Sequence, residues 1–323
     1  MKFLFAALTI LIGFTAYSQD TIPVRGIDLA IEEAQKGNFV SLGLIGDTNQ
    51  TFPKEFFEIP REKLVGLVID NCSYGSIPNS VSSYRNLFYF RYSWFYFSES
   101  PLKLFPDFIS QTPSLQQVII EGVPLKGIPS LSELTSLDHL SIYKCDLPNF
   151  PLEVLELKSL TELKLACNDF TRIPDGISKL SNLKILEFEG GACGATPISH
   201  VPPSIGQLKK LESFSLGYSK EPVKELPESF YSLQNLKRFS CHGCGLESLN
   251  EKVTNLKQLE SLQLTNLSFF QEFPEEVFKL PNLKRFRFYQ YGDSADQELL
   301  EQQARIKEWG KSLESFDFEI NLR

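Results

Sequence analysis

The residues most able to do chemistry are few: the pair in Cys241-His242-Gly243-Cys244 and the three histidines His139, His200 and His242. Two cysteines separated by two residues suit disulfide exchange or half of a zinc site, because a thiolate is both a nucleophile and a metal ligand. A structural zinc site wants four ligands, and no second cysteine pair stands at a matching spacing. His139 and His242 belong to segments four repeats apart, which puts them roughly 20 Å from each other if the repeats stack as parallel strands. No phosphate-cradling glycine loop and no nucleophile–base–acid set is visible, so the expectation is a non-catalytic protein with no metal and no cofactor.

The elements that would position any site are repeated. The pattern apolar-x-x-apolar-x-apolar recurs as Leu64/Leu67/Ile69, Leu87/Phe90/Tyr92, Leu115/Val118/Ile120 and Leu137/Leu140/Ile142. It continues as Leu160/Leu163/Leu165, Leu183/Leu186/Phe188, Leu211/Phe214/Leu216 and Leu236/Phe239/Cys241. Leu259/Leu262/Leu264, Leu283/Phe286/Phe288 and Leu313/Phe316/Phe318 complete it, with Phe39/Leu42/Leu44 as a weaker first copy. The last two apolar residues of each triplet lie two apart, so both face inward from a short strand. A second half-unit follows, as in Ile173-Pro174-Asp175-Gly176-Ile177 leading to Leu180. Proline fixes φ and suits the first turn of a helix, so these halves predict short helical turns.

Twelve such units resemble the leucine-rich-repeat family, in its short form of about 23 residues with an L-P-x-x-I-x-x-L second half. The resemblance implies an α/β fold: a curved solenoid with parallel strands on the concave face and short helical turns on the convex face. It also implies binding through the concave face. The pattern is broken at Asn250, where the ninth repeat lacks its proline, and after Tyr291, where a longer segment intervenes. The expected organisation is a signal peptide over 1–18, an N-terminal helical cap over 19–38, repeats over 39–292, and a terminal cap helix with the last strand over 293–323. Ser294 and Gln297 fit a capping box, and Gly310 fits a helix stop.

Lys2, the apolar run Phe3 to Phe14 and Ala16-Tyr17-Ser18 carry the leader reading, with cleavage before Gln19. That run is short for a membrane span, so no stable span is expected after its removal. The expected location is the periplasm, the cell surface or the medium. Six cysteines in an exported chain invite disulfides. Yet Cys72, Cys145 and Cys244 fall eight residues after the first leucine of their repeats, where Asn168 stands in the sixth. In the family that position points inward, and Cys241 replaces a core leucine, so these four are expected as buried free thiols. Cys167 and Cys193 lie outside this register and pair only if their loops meet.

Net charge is -8, without a basic stripe, which argues against a nucleic-acid partner. The expected partner is a protein or peptide; a glycan, or a structural and adhesive role, is the alternative. Aromatic and arginine residues are the usual anchors of interfaces. On the outward strand positions these are Tyr89, Arg91, Tyr143, Arg285, Arg287 and Tyr289. The leucine-to-proline distance is usually fourteen residues but nineteen in the third and seventh repeats and sixteen in the eighth, so insertions project from one edge. The first insertion holds Trp94, Phe95 and Tyr96, which complete the predicted binding set unless their rings extend the core.

Overall fold

The computed structural model describes residues 21–95, 99–189, 196–219, 221, 223–267, 275–292 and 306–322. The leader region and Tyr96 lie outside them, as does most of the predicted terminal helix, of which residues 306–310 are helical. Thirteen strands form one parallel sheet in strict chain order. They are β1 (Thr21–Arg25), β2 (Phe39–Ile45), β3 (Leu64–Asp70), β4 (Tyr89–Ser93), β5 (Gln117–Glu121), β6 (His139–Tyr143) and β7 (Glu162–Lys164). β8 (Ile185–Glu187), β9 (Ser213–Leu216), β10 (Arg238–His242), β11 (Ser261–Leu267), β12 (Arg285–Gly292) and β13 (Ser315–Leu322) follow. A helix, α1 (Ile27–Gln35), joins β1 to β2 and buries Ala30 and Ala34.

All twelve apolar triplets seed strands, β2 to β13. Their paired inward residues make the core: Leu67 and Ile69, Phe90 and Tyr92, Val118 and Ile120, and Leu140 and Ile142 are all fully buried. β1 was not anticipated, because Pro23 removes a ladder donor from a short segment. On an edge strand that loss is tolerated, since one side of the strand needs no ladder donor, and among the described residues β1 pairs only with β2.

The convex turns are mostly five-residue 3-10 turns rather than α-helices, with a three-residue one at Ile109–Gln111. An α-helix about 10 Å across would splay repeats whose strands sit roughly 4.8 Å apart; a single 3-10 turn is narrower. Proline stands one position earlier than predicted, at the cap. Pro174 has φ −74° and ψ 152°, and its carbonyl accepts from Ile177 N–H at 3.0 Å. The same bond closes at Pro78, Pro151, Pro202 and Pro227. Asn250 replaces this proline by side-chain chemistry: its Oδ1 accepts from Lys252 N–H at 2.9 Å, while its own N–H donates to Tyr231 Oη at 3.0 Å.

Asn168 shows why an inward polar residue closes a repeat. Its amide donates to Ile142 O at 2.9 Å and Leu165 O at 3.1 Å, and its Oδ1 accepts from Cys145 N–H and Leu147 N–H. Cys145 is free and buried at the equivalent place, with Sγ 3.2 Å from Tyr143 O. Burial pushes its thiol up to about 12. At the C-terminal end Trp309 covers the last repeat, with ring centroids 4.6 Å from Phe278 and 5.4 Å from Phe286. Gly310 is kept small by the Phe316 ring, which a Cβ there would meet at 2.4 Å, and not by a left-handed φ.

The expectation of four free thiols holds for Cys72 and Cys145 and fails for the other pair. Cys241 and Cys244 form a disulfide, with Cα atoms 5.5 Å apart. Cys241 ends the inward face of β10, and Gly243, at φ +63°, turns the chain back so that Cys244 also points inward. Two inward positions separated by so tight a turn must meet. Cys167 is likewise disulfide-bonded, while Cys193 lies outside the described residues.

Candidate functional site

Every second strand residue projects from the face opposite the core, so the outward positions form columns running across the sheet. In the N-terminal half these side chains are occupied by one another. Arg91 on β4 lies between Asp70 on β3, 3.6 Å from its Nε, and Glu121 on β5, 3.0 Å from its Nη2. Ser93 Oγ donates to the Asp70 carboxylate. Tyr89 and Arg91 are only 7% and 8% exposed. Burial pushes the Tyr89 phenol up to about 12, and burial raises the Glu121 carboxyl although Arg91 beside it pulls the other way. The expectation of Tyr89 and Arg91 as exposed anchors is thereby corrected: neighbouring strands match the arginine's charge on both sides and close around it.

Further along, His139 Nδ1 lies 3.0 Å from Glu162 Oε2, and Lys164 Nζ is 2.7 Å from Glu162 and 3.4 Å from Glu187. Burial alone would raise Glu162, but the bonds from His139 and Lys164 outweigh it and hold the carboxyl at about 2.

From β8 onward the surface changes character. A depression of about 350 Å³ opens over β8 to β11, with Ser213, Ser215, Ser240 and Ser261 in its floor. Glu187 and Glu189 stand on one side, Arg238 and Gln263 on the other. Ser240 Oγ donates to Glu189 Oε2 at 2.9 Å, so the carboxylate reaches over β9. Ser215 Oγ is buried with no hydrogen-bond partner among the described residues. Tyr218, 53% exposed, lies against Gly243, where a Cβ would come 2.5 Å from its ring. Its neighbour His242 is tied through Nδ1 to Thr265 Oγ1 at 2.7 Å.

Comparison with known proteins supports the repeat architecture. No family model matches the chain. A 129-residue stretch is 30% identical to volume-regulated anion channel subunit LRRC8D of Rattus norvegicus, covering 38% of this chain and 14% of that protein. Another, of 148 residues, is 28% identical to the adenylate cyclase of Schizosaccharomyces pombe, covering 46% of this chain and 8% of that one. The chain therefore spans only a small part of these curated relatives. Among solved structures, a leucine-rich-repeat protein of Leptospira interrogans superposes with TM-score 0.66 at 24% identity, covering 88% of this chain and 64% of that one. The ectodomain of the Arabidopsis thaliana receptor kinase GASSHO1/SCHENGEN3, in complex with Casparian strip integrity factor 2, gives TM-score 0.57 at 18% identity. That match covers 79% of this chain and 33% of the receptor.

The chain has the fold of the leucine-rich-repeat family. Its single parallel sheet with short turns is the solenoid of that family, with the strands on the concave face.

On this leucine-rich-repeat scaffold the predicted site residues separate into two groups. Tyr89 and Arg91 lie on β4 and Tyr143 two strands away on β6, and Tyr143 is half-buried, its phenol raised by burial and by Glu121. Trp94 is 9% exposed and belongs to the core cluster, so its ring extends the core. Phe95 is 56% exposed, with its N–H held by Asn71 Oδ1 at 2.8 Å. Arg285, Arg287 and Tyr289 share β12, far along the sheet. Arg285 is exposed, Arg287 is 3.1 Å from Asp317, and Tyr289 is half-buried. Ser213 and Ser215 are not among the predicted site residues. The usable signal was a run of small outward residues in three consecutive repeats, which makes a hollow between larger neighbours.

Proposed function

We propose that the protein is an exported binding protein that recognises a protein or peptide segment laid across the strands of its concave face. The observation that carries this reading is the serine-floored depression between Glu187 and Arg238. It is concave, polar at its rim and set on a rigid sheet, as a recognition site requires. The solved receptor ectodomain of the same fold, in complex with its factor, supports binding as the use of the scaffold. We favour binding over catalysis because His139 and His242 are each committed to a neighbour, Glu162 and Thr265, on strands four repeats apart. The Cys241–Cys244 disulfide favours an oxidising compartment and so supports export.

The test is to pan a displayed random-peptide library against the full mature chain and to measure the selected peptides on a Ser240→Trp variant, in which an indole fills the hollow. Affinity should fall at least tenfold with an unchanged melting temperature. Peptides that bind the variant as tightly as the parent would remove the site from this face. Carbohydrate binding is the second reading, favoured by exposed Tyr218 as a stacking surface beside the hollow.

A further inference from the structure

Most cations of the concave face are already used. Arg91 is clamped by Glu121 and Asp70, Lys164 by Glu162 and Glu187, and Arg287 by Asp317. The lysines that precede β10 and β12 are used as well: Lys237 is 2.8 Å from Glu212, and Lys284 is 3.2 Å from Glu260. Arg238 and Arg285 differ. Both are exposed, and neither makes an ion pair or a side-chain hydrogen bond among the described residues.

They also share one column. Strand register aligns Ser213 with Arg238, Arg238 with Ser261, Ser261 with Arg285 and Arg285 with Ser315, so serine and arginine alternate from β9 to β13. The outward positions of β9 to β12 carry no carboxylate among the described residues. Guanidinium groups outside any ion pair therefore recur every second strand, roughly 10 Å apart, with hydroxyl groups between them; the charge of Arg238 is felt by Glu212, whose carboxyl it helps to lower. Two strands before Arg238, and one column over, the sign reverses at Glu187, which register aligns with Ser215 and Ser240.

We propose that this row binds an acidic peptide in the polyproline II conformation, with carboxylates three residues apart and a basic residue three positions from the first of them, whose long side chain reaches Glu187 in the adjoining column. This rests on the peptide-binding reading above and names its ligand. The spacing selects the conformation. A polyproline II chain brings residues i and i+3 to the same side about 9 Å apart, close to the interval between the arginines. A β-strand repeats on one side at about 6.6 Å, which is too short. An α-helix matches the interval only at i+7, about 10.5 Å, but its backbone is already hydrogen-bonded within itself. A polyproline II backbone has no internal hydrogen bonds, so its carbonyls can accept from Ser261 and from the Gln263 amide. The chain's net charge of -8 repels an acidic partner at long range, and the basic residue reaching Glu187 offsets that repulsion locally.

The test uses the full mature chain and a fluorescein-labelled peptide, Lys-Pro-Pro-Glu-Pro-Pro-Glu, titrated at low and high salt. We expect saturable binding that weakens as salt rises. Arg238→Ala and Arg285→Ala should each weaken it about tenfold, the loss of one charge-assisted contact. A peptide with its glutamates two apart, and one with all charges reversed, should bind at least tenfold less well. Melting temperatures should be unchanged, because both arginines are exposed. Equal binding of the misspaced or reversed peptide would overturn the proposal, as would indifference to both arginine substitutions. Arginine-dependent binding of a sulfated oligosaccharide, without binding of the peptide, would overturn it too. If only neutral library-selected peptides bind, and Ser240→Trp blocks them, the acidic ligand is wrong while the peptide-binding reading stands. If Ser240→Trp affects no peptide, that reading fails as well.

Discussion

Glu162 shows how single residues on the binding face are set by their neighbours. Its carboxyl is held at about 2 in the folded chain, below the ordinary value of about 4.5, because the bonds from His139 and Lys164 outweigh burial. A depressed folded value means that the unfolded chain binds the proton more readily. The stabilisation is therefore complete above about pH 4.5 and is lost as pH falls toward 2. Urea midpoints followed from pH 6 to pH 2 should decline over that window, by on the order of 2 kcal/mol after allowance for solvent screening. Glu162→Gln should lower stability at pH 6 and flatten the acid limb. An unchanged acid limb in the variant would show that other carboxylates govern it. The residue's type and outward position were legible in the sequence, but its partners were not. Lys164 shares its strand, but His139 stands on β6, and only sheet register brings the two repeats together.

At the scale of the element, the convex turn is the informative unit. Proline at its cap works because φ is preset and the missing N–H is not part of the turn's own bonding. Asn250 stands at the same backbone angles, φ −65° and ψ 146°, so proline would fit there sterically. It would also restrict the unfolded chain, which by itself stabilises by about 0.4–1 kcal/mol. Against this, Asn250→Pro removes the cap to Lys252 and the N–H bond to Tyr231 Oη, a buried hydroxyl. Those losses are larger, about 1–2 kcal/mol together, so restoring the repeat consensus should lower the melting temperature. In a double-mutant cycle with Tyr231→Phe the two changes should be non-additive by about 1 kcal/mol. Strict additivity would mean that the tyrosine bond contributes nothing. The missing proline was plain in the sequence, but its compensation was not, because Tyr231 belongs to the preceding repeat.

At the scale of the whole molecule, a solenoid grows by stacking, and each repeat is stabilised by its two neighbours. The ends need covers for the same reason, supplied by β1 with α1 at one end and by Trp309 over Phe278 and Phe286 at the other. Export is a property of the entire chain, and the exported reading proposed above makes one firm expectation of it. Terminal sequencing of the native protein should begin at Gln19, following removal of the leader that ends in Ala16-Tyr17-Ser18. Recovery of intact Met1 in soluble cytoplasm would overturn the export reading and the choice of partners that follows from it.

The architecture was determined by the sequence alone, because each repeat writes its two inward strand residues and its turn into neighbouring positions. Leu163 and Leu165, or Pro174 and Ile177, need no distant information to be read. Local chemistry was equally legible at Asn168, whose inward position follows from its place in the repeat. What only the tertiary structure decided is the state of side chains between repeats. It placed Trp94 in the core, enclosed Tyr89 and Arg91 between charged neighbours, joined Cys241 to Cys244, and left Arg238 and Arg285 outside any ion pair among the described residues. Residues about 23 positions apart become neighbours roughly 4.8 Å away when strands stack. Exposure and pairing on the concave face are therefore set by the register of several repeats at once, and not by any one of them.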